Sequence, residues 1–259
     1  MRSLISRPGF KQPGFKHPGF KRLGLTLLAL CLPAANAQAE NLTLTELEPG
    51  LYQHQSFQTV KGFGRVSANG LLLVEGKNAF LIDTPWGNED TEQLLAWLKA
   101  RDLTLEGSLS THWHEDRAGG LAALNAAGVA TFASADTNRL LVENGKVQAS
   151  HSLEAGPQLL FHGRVEAYFP GAGHSLDNLV AWLPGQKTLF GGCLVRSLET
   201  QSMGNTADGD VPAWPDSIEA LLSRYPGAAR VVPGHGDNGD IALLRHTLAL
   251  SRAAAQKSQ

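Results

Sequence analysis

The chain has 259 residues, 42% of them hydrophobic and 18% charged, a globular composition long enough to bury one sizeable core. Its formal net charge of −2 offers no basic footprint, so no nucleic-acid partner is expected. The charge is unevenly placed, because residues 1–37 carry six of the 22 Lys and Arg and none of the 24 Asp and Glu. An acidic body behind a basic leader is the pattern of an exported protein.

Within the leader, Pro-Gly-Phe-Lys recurs at 8–11, 13–16 and 18–21, forming a long basic stretch that ends at Arg22. The apolar run Leu23–Leu32 follows, about ten residues where a membrane-spanning helix needs about 20. Ala35-Asn36-Ala37 then supplies a small-x-small cleavage signal. We expect a secretory signal peptide over residues 1–37, removed to leave a single domain over 38–259 in the periplasm, with no membrane partner after cleavage. Leu28-Ala29 before Cys31 fits the start of a lipobox, but Leu30 stands where a small residue should precede the cysteine, so no lipid anchor is expected. Once the leader is gone Cys193 is the remaining cysteine, unable to form an internal disulfide, and is either a buried inert residue or a ligand.

Short strands are predicted at Leu51–Phe57, Leu71–Glu75 and Ala79–Asp83, with turns at Asn69-Gly70 and Gly76-Lys77. A helix over Glu89–Lys99 places Leu94, Leu95 and Leu98 on one face. There follow a strand at Ser108–Ser110, a helix from Gly119 to Ala127, a strand at Val129–Ala133 and a helix over Ala135–Glu143. The second half predicts strands near 158–162, 165–169, 179–183 and 187–191, a helix at Pro215–Arg224, a strand at Arg230–Val232 and a closing helix over Asp240–Ala255. Hairpins interspersed with helices predict an α/β fold with helices on the outer faces of sheets.

Chemistry concentrates in Thr111-His112-Trp113-His114-Glu115-Asp116-Arg117, directly after the apolar strand Gly107–Ser110. Two imidazoles and a carboxylate at alternate positions point one way from an extended loop and are donors that Zn²⁺ accepts. Trp113 and Glu115 are expected to point elsewhere as structural residues. Three more candidates each follow an apolar strand: His174 in Pro170-Gly171-Ala172-Gly173-His174, Cys193 after Gly191-Gly192, and His235 in Val231-Val232-Pro233-Gly234-His235. His54, His151, His162 and His246 lack such a setting and read as structural.

The set His112-x-His114-x-Asp116-Arg117, His174, Cys193 and His235 resembles the metallo-β-lactamase superfamily, and within it the class B β-lactamases of the first subclass, over about residues 45–250. The resemblance implies a four-layer αββα sandwich with a site for two Zn²⁺ ions at one edge of its sheets. His112, His114 and His174 would hold the first ion, and Asp116, Cys193 and His235 the second. Thiolate ligation would account for an unpaired cysteine in an exported chain. Asp83 matches the family's buried supporting aspartate, and Arg117 would balance charge beneath the metals. Arg196 stands where many relatives carry a lysine that pairs with the substrate carboxylate, a task its guanidinium suits. Asn205 would help polarise the lactam carbonyl, Asp116 would steer a proton, and Phe63 would cap the site from a glycine-flanked hairpin at Phe57–Val66.

The activity so implied is hydrolysis of the β-lactam amide in penicillins, cephalosporins and carbapenems by metal-bound hydroxide, conferring antibiotic resistance. A monomer is expected, since nothing in the sequence suggests an assembly seam. A serine β-lactamase is excluded, since none of the nine lysines has a Ser three residues before it. The alternatives are another hydrolase of the same fold, such as a thioesterase or lactonase, or a non-catalytic periplasmic zinc-binding module. The former usually carry His after the Asp and a bridging Asp in place of the cysteine, where this chain has Arg117 and Cys193. A structural zinc site is normally closed by four protein ligands, whereas three histidines leave a position open.

Overall fold

Side chains along a strand alternate between two faces, so a strand apolar at every position must be covered on both sides. Leu71-Leu72-Leu73, Ala79-Phe80-Leu81-Ile82, Val180-Ala181 and Val231-Val232 are all buried and obey this rule. A computed structural model describes residues 41–257, together with Gly9 and Gly14. Apart from those two glycines, the expected signal peptide lies outside the described residues.

One sheet runs in the order β1 (Leu42–Glu48), β2 (Leu51–Val60), β3 (Gly64–Glu75), β4 (Asn78–Ile82), β5 (Thr104–Leu109), β6 (Ala130–Ser134), β7 (His151–Leu153). It is antiparallel from β1 to β4 and parallel from β4 to β7. The other contains β8 (Gln158–Leu160), β9 (Val165–Tyr168), β10 (Val180–Leu183), β11 (Thr188–Gly192) and β12 (Arg230–Pro233), with β11–β12 as its parallel pair. Helices α1 (Asn88–Lys99), α2 (Glu115–Ala118), α3 (Leu121–Ala126) and α4 (Ala135–Glu143) belong to the first half, α5 (Trp214–Arg224) and α6 (Ala242–Lys257) to the second.

Three apolar layers follow from the alternation. Leu71, Leu73, Phe80 and Ile82 of the first sheet meet Ala181, Phe190 and Val232 of the second in a central core. Their neighbours Leu72, Ala79 and Leu81 pack outward on Leu94 and Leu98 of α1 and Leu124 of α3. Val180, Leu189 and Val231 pack outward on Trp214 and Ile218 of α5 and Leu243 and Leu244 of α6. Each large apolar side chain so buried contributes about 1.5–3 kcal/mol relative to exposure. The αββα order implied by the sequence resemblance is therefore the observed one.

Several expected boundaries shift, each for a local reason. Asn69-Gly70 is not a turn but the middle of β3, because Asn69 is fully buried and bonded on every side rather than turned to solvent. Its Oδ1 accepts from Gln53 Nε2 and Gln55 Nε2, both at 2.9 Å, and its Nδ2 donates to Pro233 O at 2.9 Å and Gly236 O at 2.8 Å. The helix expected over 119–127 is α3, and a short unexpected helix, α2, precedes it, the two separated where Gly119 and Gly120 press against Glu115 and Thr91. β1 and β7 were not expected: Thr43, Thr45 and Glu46 interrupt the apolar pattern of one, and the other is three residues long. α4 has the expected bounds, its first turn capped by Ser134 Oγ accepting from Thr137 N at 2.9 Å.

Gly70 is required by space. A Cβ there would lie 2.1 Å from Nε2 of the fully buried His54 and 2.7 Å from the Ile82 carbonyl. Gly70→Ala should therefore lower the unfolding free energy by about 1–3 kcal/mol, the usual cost of overpacking, read as a lower denaturant midpoint at unchanged slope. A midpoint equal to that of the parent would show that the strand has room.

Candidate metal centre

The register of the parallel strands decides where the polar residues gather. Ile82 pairs with Leu109, so β4 and β5 end together and release Asp83 and Thr111-His112 at one edge. Gly192 pairs with Pro233, so β11 and β12 release Cys193 and Gly234-His235 together. The turn between β9 and β10 brings His174, and Leu179 N bonds Thr111 O at 2.7 Å to join the two sheets there. Close approach of the Cys193 and His235 turns needs Gly234, since a Cβ would sit 2.7 Å from Cys193 Sγ.

The six expected ligands converge. His112 Nε2 lies 3.0 Å from His114 Nδ1, which lies 3.2 Å from His174 Nε2. Cys193 Sγ is 3.3 Å from both Asp116 Oδ2 and His235 Nε2, and the last two are 3.1 Å apart. Donor atoms of His112, His114 and His174, and separately of His112, Asp116 and Cys193, all fall within 4.8 Å of one another. Four ligands placed tetrahedrally about 2.0–2.1 Å from Zn²⁺ stand about 3.3 Å apart, close to the nitrogen spacings seen. Burial, reinforced by the neighbouring imidazoles, holds His112 well below the usual histidine range and His174 down to about 3, so both present bare lone pairs. Crowded, unprotonated nitrogens repel one another unless a cation lies between them, and the donor set thus fits a metal ion.

The second trio differs in charge. Burial alone would raise the Asp116 carboxyl, but Arg117 and His235 hold it well below the usual carboxylate range. Burial would likewise lower His235, yet Cys193 and Asp116 beside Nε2 push it up to about 10. Its Nδ1 is oriented by Ser67 O at 2.5 Å.

Beneath the ligands Arg117 is fully buried, as expected of a charge-balancing residue. Nε donates to Asp116 Oδ2 at 3.0 Å, Nη1 to Asp83 Oδ2 at 3.2 Å and to Asn69 O, and Nη2 to Gly234 O at 2.7 Å. Asp83, at φ 58, accepts from Thr111 N at 2.7 Å and Thr111 Oγ1 at 2.8 Å, holding the start of the ligand loop.

Above the ligands lies a cleft of about 420 Å³, lined among others by Val60, Phe63, Val66, Trp86, Arg196 and Asn205. Phe63 is 64% exposed at the tip of the β2–β3 hairpin. Arg196 forms no ion pair among the described residues, and its buried Nε has no partner. Asn205 Oδ1 accepts from Ala207 N at 3.2 Å.

Trp113 and Glu115 do not point away from the site: both line the cleft with His114. Two-residue alternation stops at His114, where the chain enters α2, so the next side chains swing round with the helix. Lys146, from the turn after α4, closes that wall 3.1 Å from Glu115 Oε1 and 4.9 Å from the Trp113 ring centre. Trp86, Lys146 and Asp208 carry no motif, and sequence reasoning missed them. His54 and His246 are structural as expected, bonding Asp83 O at 3.0 Å and Thr200 O at 2.8 Å.

The fold and this donor set define a metal-dependent hydrolase scaffold. A family model for the metallo-beta-lactamase superfamily matches residues 63–235, and the chain belongs to that superfamily. It is 41% identical over 214 residues to a metallo-beta-lactamase type 2 of Pseudomonas aeruginosa, spanning 83% of this chain and 86% of the relative. A type 2 relative from Bacteroides fragilis is 35% identical over 214 residues, 81% of this chain and 85% of its own. The crystal structure of the DIM-1 metallo-beta-lactamase exposed to ceftazidime superposes with a TM-score of 0.82 at 45% identity, covering 83% of this chain and 98% of that one. FIM-1 from Pseudomonas aeruginosa, in its mono-zinc form, superposes with a TM-score of 0.79 at 34% identity, covering 83% and 97%. Within the superfamily the chain groups with the class B enzymes of the first subclass.

A pH test follows from Asp83. Burial pushes its carboxyl up to about 7, against the pull of Arg117 and the two bonds from Thr111. The folded chain therefore holds a proton there that the unfolded chain releases above about 4, and this contribution to stability is lost as pH rises from about 4 to about 7. In metal-free protein, the stability of Asp83→Asn relative to the parent should rise with pH across that window, on top of a pH-independent cost of the altered Arg117 contact, seen by denaturant titration at several pH values. A constant difference between the two proteins would refute the assignment.

Proposed function

We propose that this chain is a zinc-dependent β-lactamase that hydrolyses the β-lactam amide of penicillins, cephalosporins and carbapenems and so confers resistance to them. The observation that carries this reading is the convergence of two donor trios on one floor of one cleft. His112, His114 and His174 would hold one Zn²⁺, and Asp116, Cys193 and His235 a second. Bound Zn²⁺ supplies a Lewis acid and lowers the pKa of a bound water toward about 7.

The chain's own residues do the remaining work. Arg196, a cation without an acidic partner among the described residues, lies at the cleft wall and binds the substrate carboxylate. Asn205, its Oδ1 already engaged by Ala207 N, directs its amide N–H groups at the lactam carbonyl as negative charge grows there. Asp116 stays ionised, so it can hold a cation and steer a proton by accepting a hydrogen bond. Phe63, Val60, Val66 and Trp86 form an apolar wall that excludes water from the substrate ring. Filling the second trio displaces the proton on His235, so affinity there falls as pH drops, and the mono-zinc form of FIM-1 is the state expected when one trio fills alone.

We further propose that the mature protein is a periplasmic, monomeric single domain over 38–259, released by cleavage near Ala37. Among the described residues no helix is long and apolar enough to cross a membrane.

The test is carbapenem absorbance followed with purified protein, zinc and a chelator. Loss of absorbance that stops on chelation and returns with zinc supports the reading; a stable signal with zinc present defeats it. Cys193→Ser should bind about one zinc less per chain by elemental analysis and lose most turnover, because thiolate donation is gone. Parent stoichiometry and rate would remove Cys193 from the site. Arg196→Ala should raise KM about 10-fold or more with a smaller change in kcat, the signature of lost substrate binding. An unchanged KM would assign the carboxylate contact elsewhere.

A further inference from the structure

Four histidines point ring nitrogens into the centre, and one of them is turned the other way. His112, His174 and His235 direct Nε2 inward, whereas His114 directs Nδ1. The outer nitrogen of His114 lies 3.0 Å from Asp208 Oδ2. A carboxylate only accepts, so His114 Nε2 carries the hydrogen, and Nδ1 is the nitrogen that the neutral ring offers toward His112 and His174. By contrast, the buried outer nitrogens of His112 and His174 have no partner among the described residues.

Asp208 belongs to the segment that carries Asn205. That segment is fastened beside the metal centre at a second point, where Asp210 N bonds Gly173 O at 2.8 Å, one residue before His174. Gly209 makes the approach possible, since a Cβ there would stand 2.5 Å from Gly173 O and 3.0 Å from His174 O. Asp210 Oδ1 in turn accepts from Ala213 N at 3.0 Å at the entry to α5. Residues 205–210 thus form a strap that touches two of the three histidines of the first trio.

We propose that the contact between His114 and Asp208, a positioning residue, links occupancy of the three-histidine site to ordering of the Asn205 strap. The inference rests on the proposed zinc site. A metal ion on Nδ1 immobilises the ring, the immobilised ring holds Asp208, and Asp208 holds the strap in the pose that aims Asn205 into the cleft. Linkage is reciprocal, so a strap cut loose from His114 weakens metal binding by the same factor that metal binding loses in ordering it. Partners that orient ligating histidines from outside typically contribute 10–100-fold to metal affinity.

The experiment measures zinc affinity by competition with a chromophoric chelator and amide hydrogen exchange over residues 201–210, with and without zinc, in the full protein. Zinc should slow exchange of the strap in the parent. Asp208→Ala should bind the first zinc about 10–100-fold more weakly and lose the zinc-dependent protection. Asp208→Asn keeps an acceptor oxygen without the charge, and should retain the protection with an intermediate affinity; it also serves should the alanine variant fail to fold. Parent affinity together with undiminished protection in both variants overturns the proposal. If the parent itself binds no zinc, the zinc reading fails and the inference with it.

Discussion

Arg117 carries a charge into the interior of the protein, and the site above it depends on how that charge is satisfied. Its three nitrogens face Asp116, Asp83 and the carbonyls of Asn69 and Gly234, acceptors contributed by β3, the end of β4, the ligand loop and the turn after β12. Burying a guanidinium costs several kcal/mol, and removing one member of such a network leaves the others unpaired at a further 3–5 kcal/mol or so. The network therefore tolerates one arrangement of these four segments. Because Asp116, Thr111 and Gly234 are bonded within it, the bases of both donor trios are set by the same contacts.

The two trios built on that base are electrostatically unlike. In the three-histidine group His112 and His174 are buried and held below the usual histidine range, ready to receive a cation without losing a proton. In the Asp116, Cys193 and His235 group the carboxylate stays ionised and His235 keeps its proton until a metal takes the proton's place. The same asymmetry runs up the cleft walls. One side is the apolar hairpin with Phe63 and Trp86; the other carries Arg196, Asn205 and Asp208. A substrate with an apolar ring system, a carboxylate and a carbonyl to be attacked matches that division, and a β-lactam has all three.

Much of this was legible in the chain. The buried strands announced themselves as apolar runs, the closing helices through their periodicity, and the six donors through their positions just beyond strands. Donor chemistry restricts which residues can hold zinc, and glycines mark where a chain turns sharply; both are local properties that one sequence carries. Asn69 shows where locality ends. Asn-Gly is a turn signal in isolation, but here the pair lies mid-strand because Asn69 is bonded to Gln53, Gln55 and the β12 turn, partners far away in sequence.

Trp113, Glu115, Lys146 and Asp208 fall on the far side of the same boundary. Their side chains line the cleft because α2 begins at Glu115, because the turn after α4 folds back on Trp113, and because the 205–210 strap crosses His114. By itself the sequence determined the layer pattern, the donor set and the class of chemistry, since these follow from residue type and short-range spacing. Which nitrogen of each histidine faces inward, which charges neutralise one another and which side chains wall the cleft were decided only by the tertiary structure. Those properties are sums over contacts between segments as many as 168 residues apart, and no local pattern encodes them.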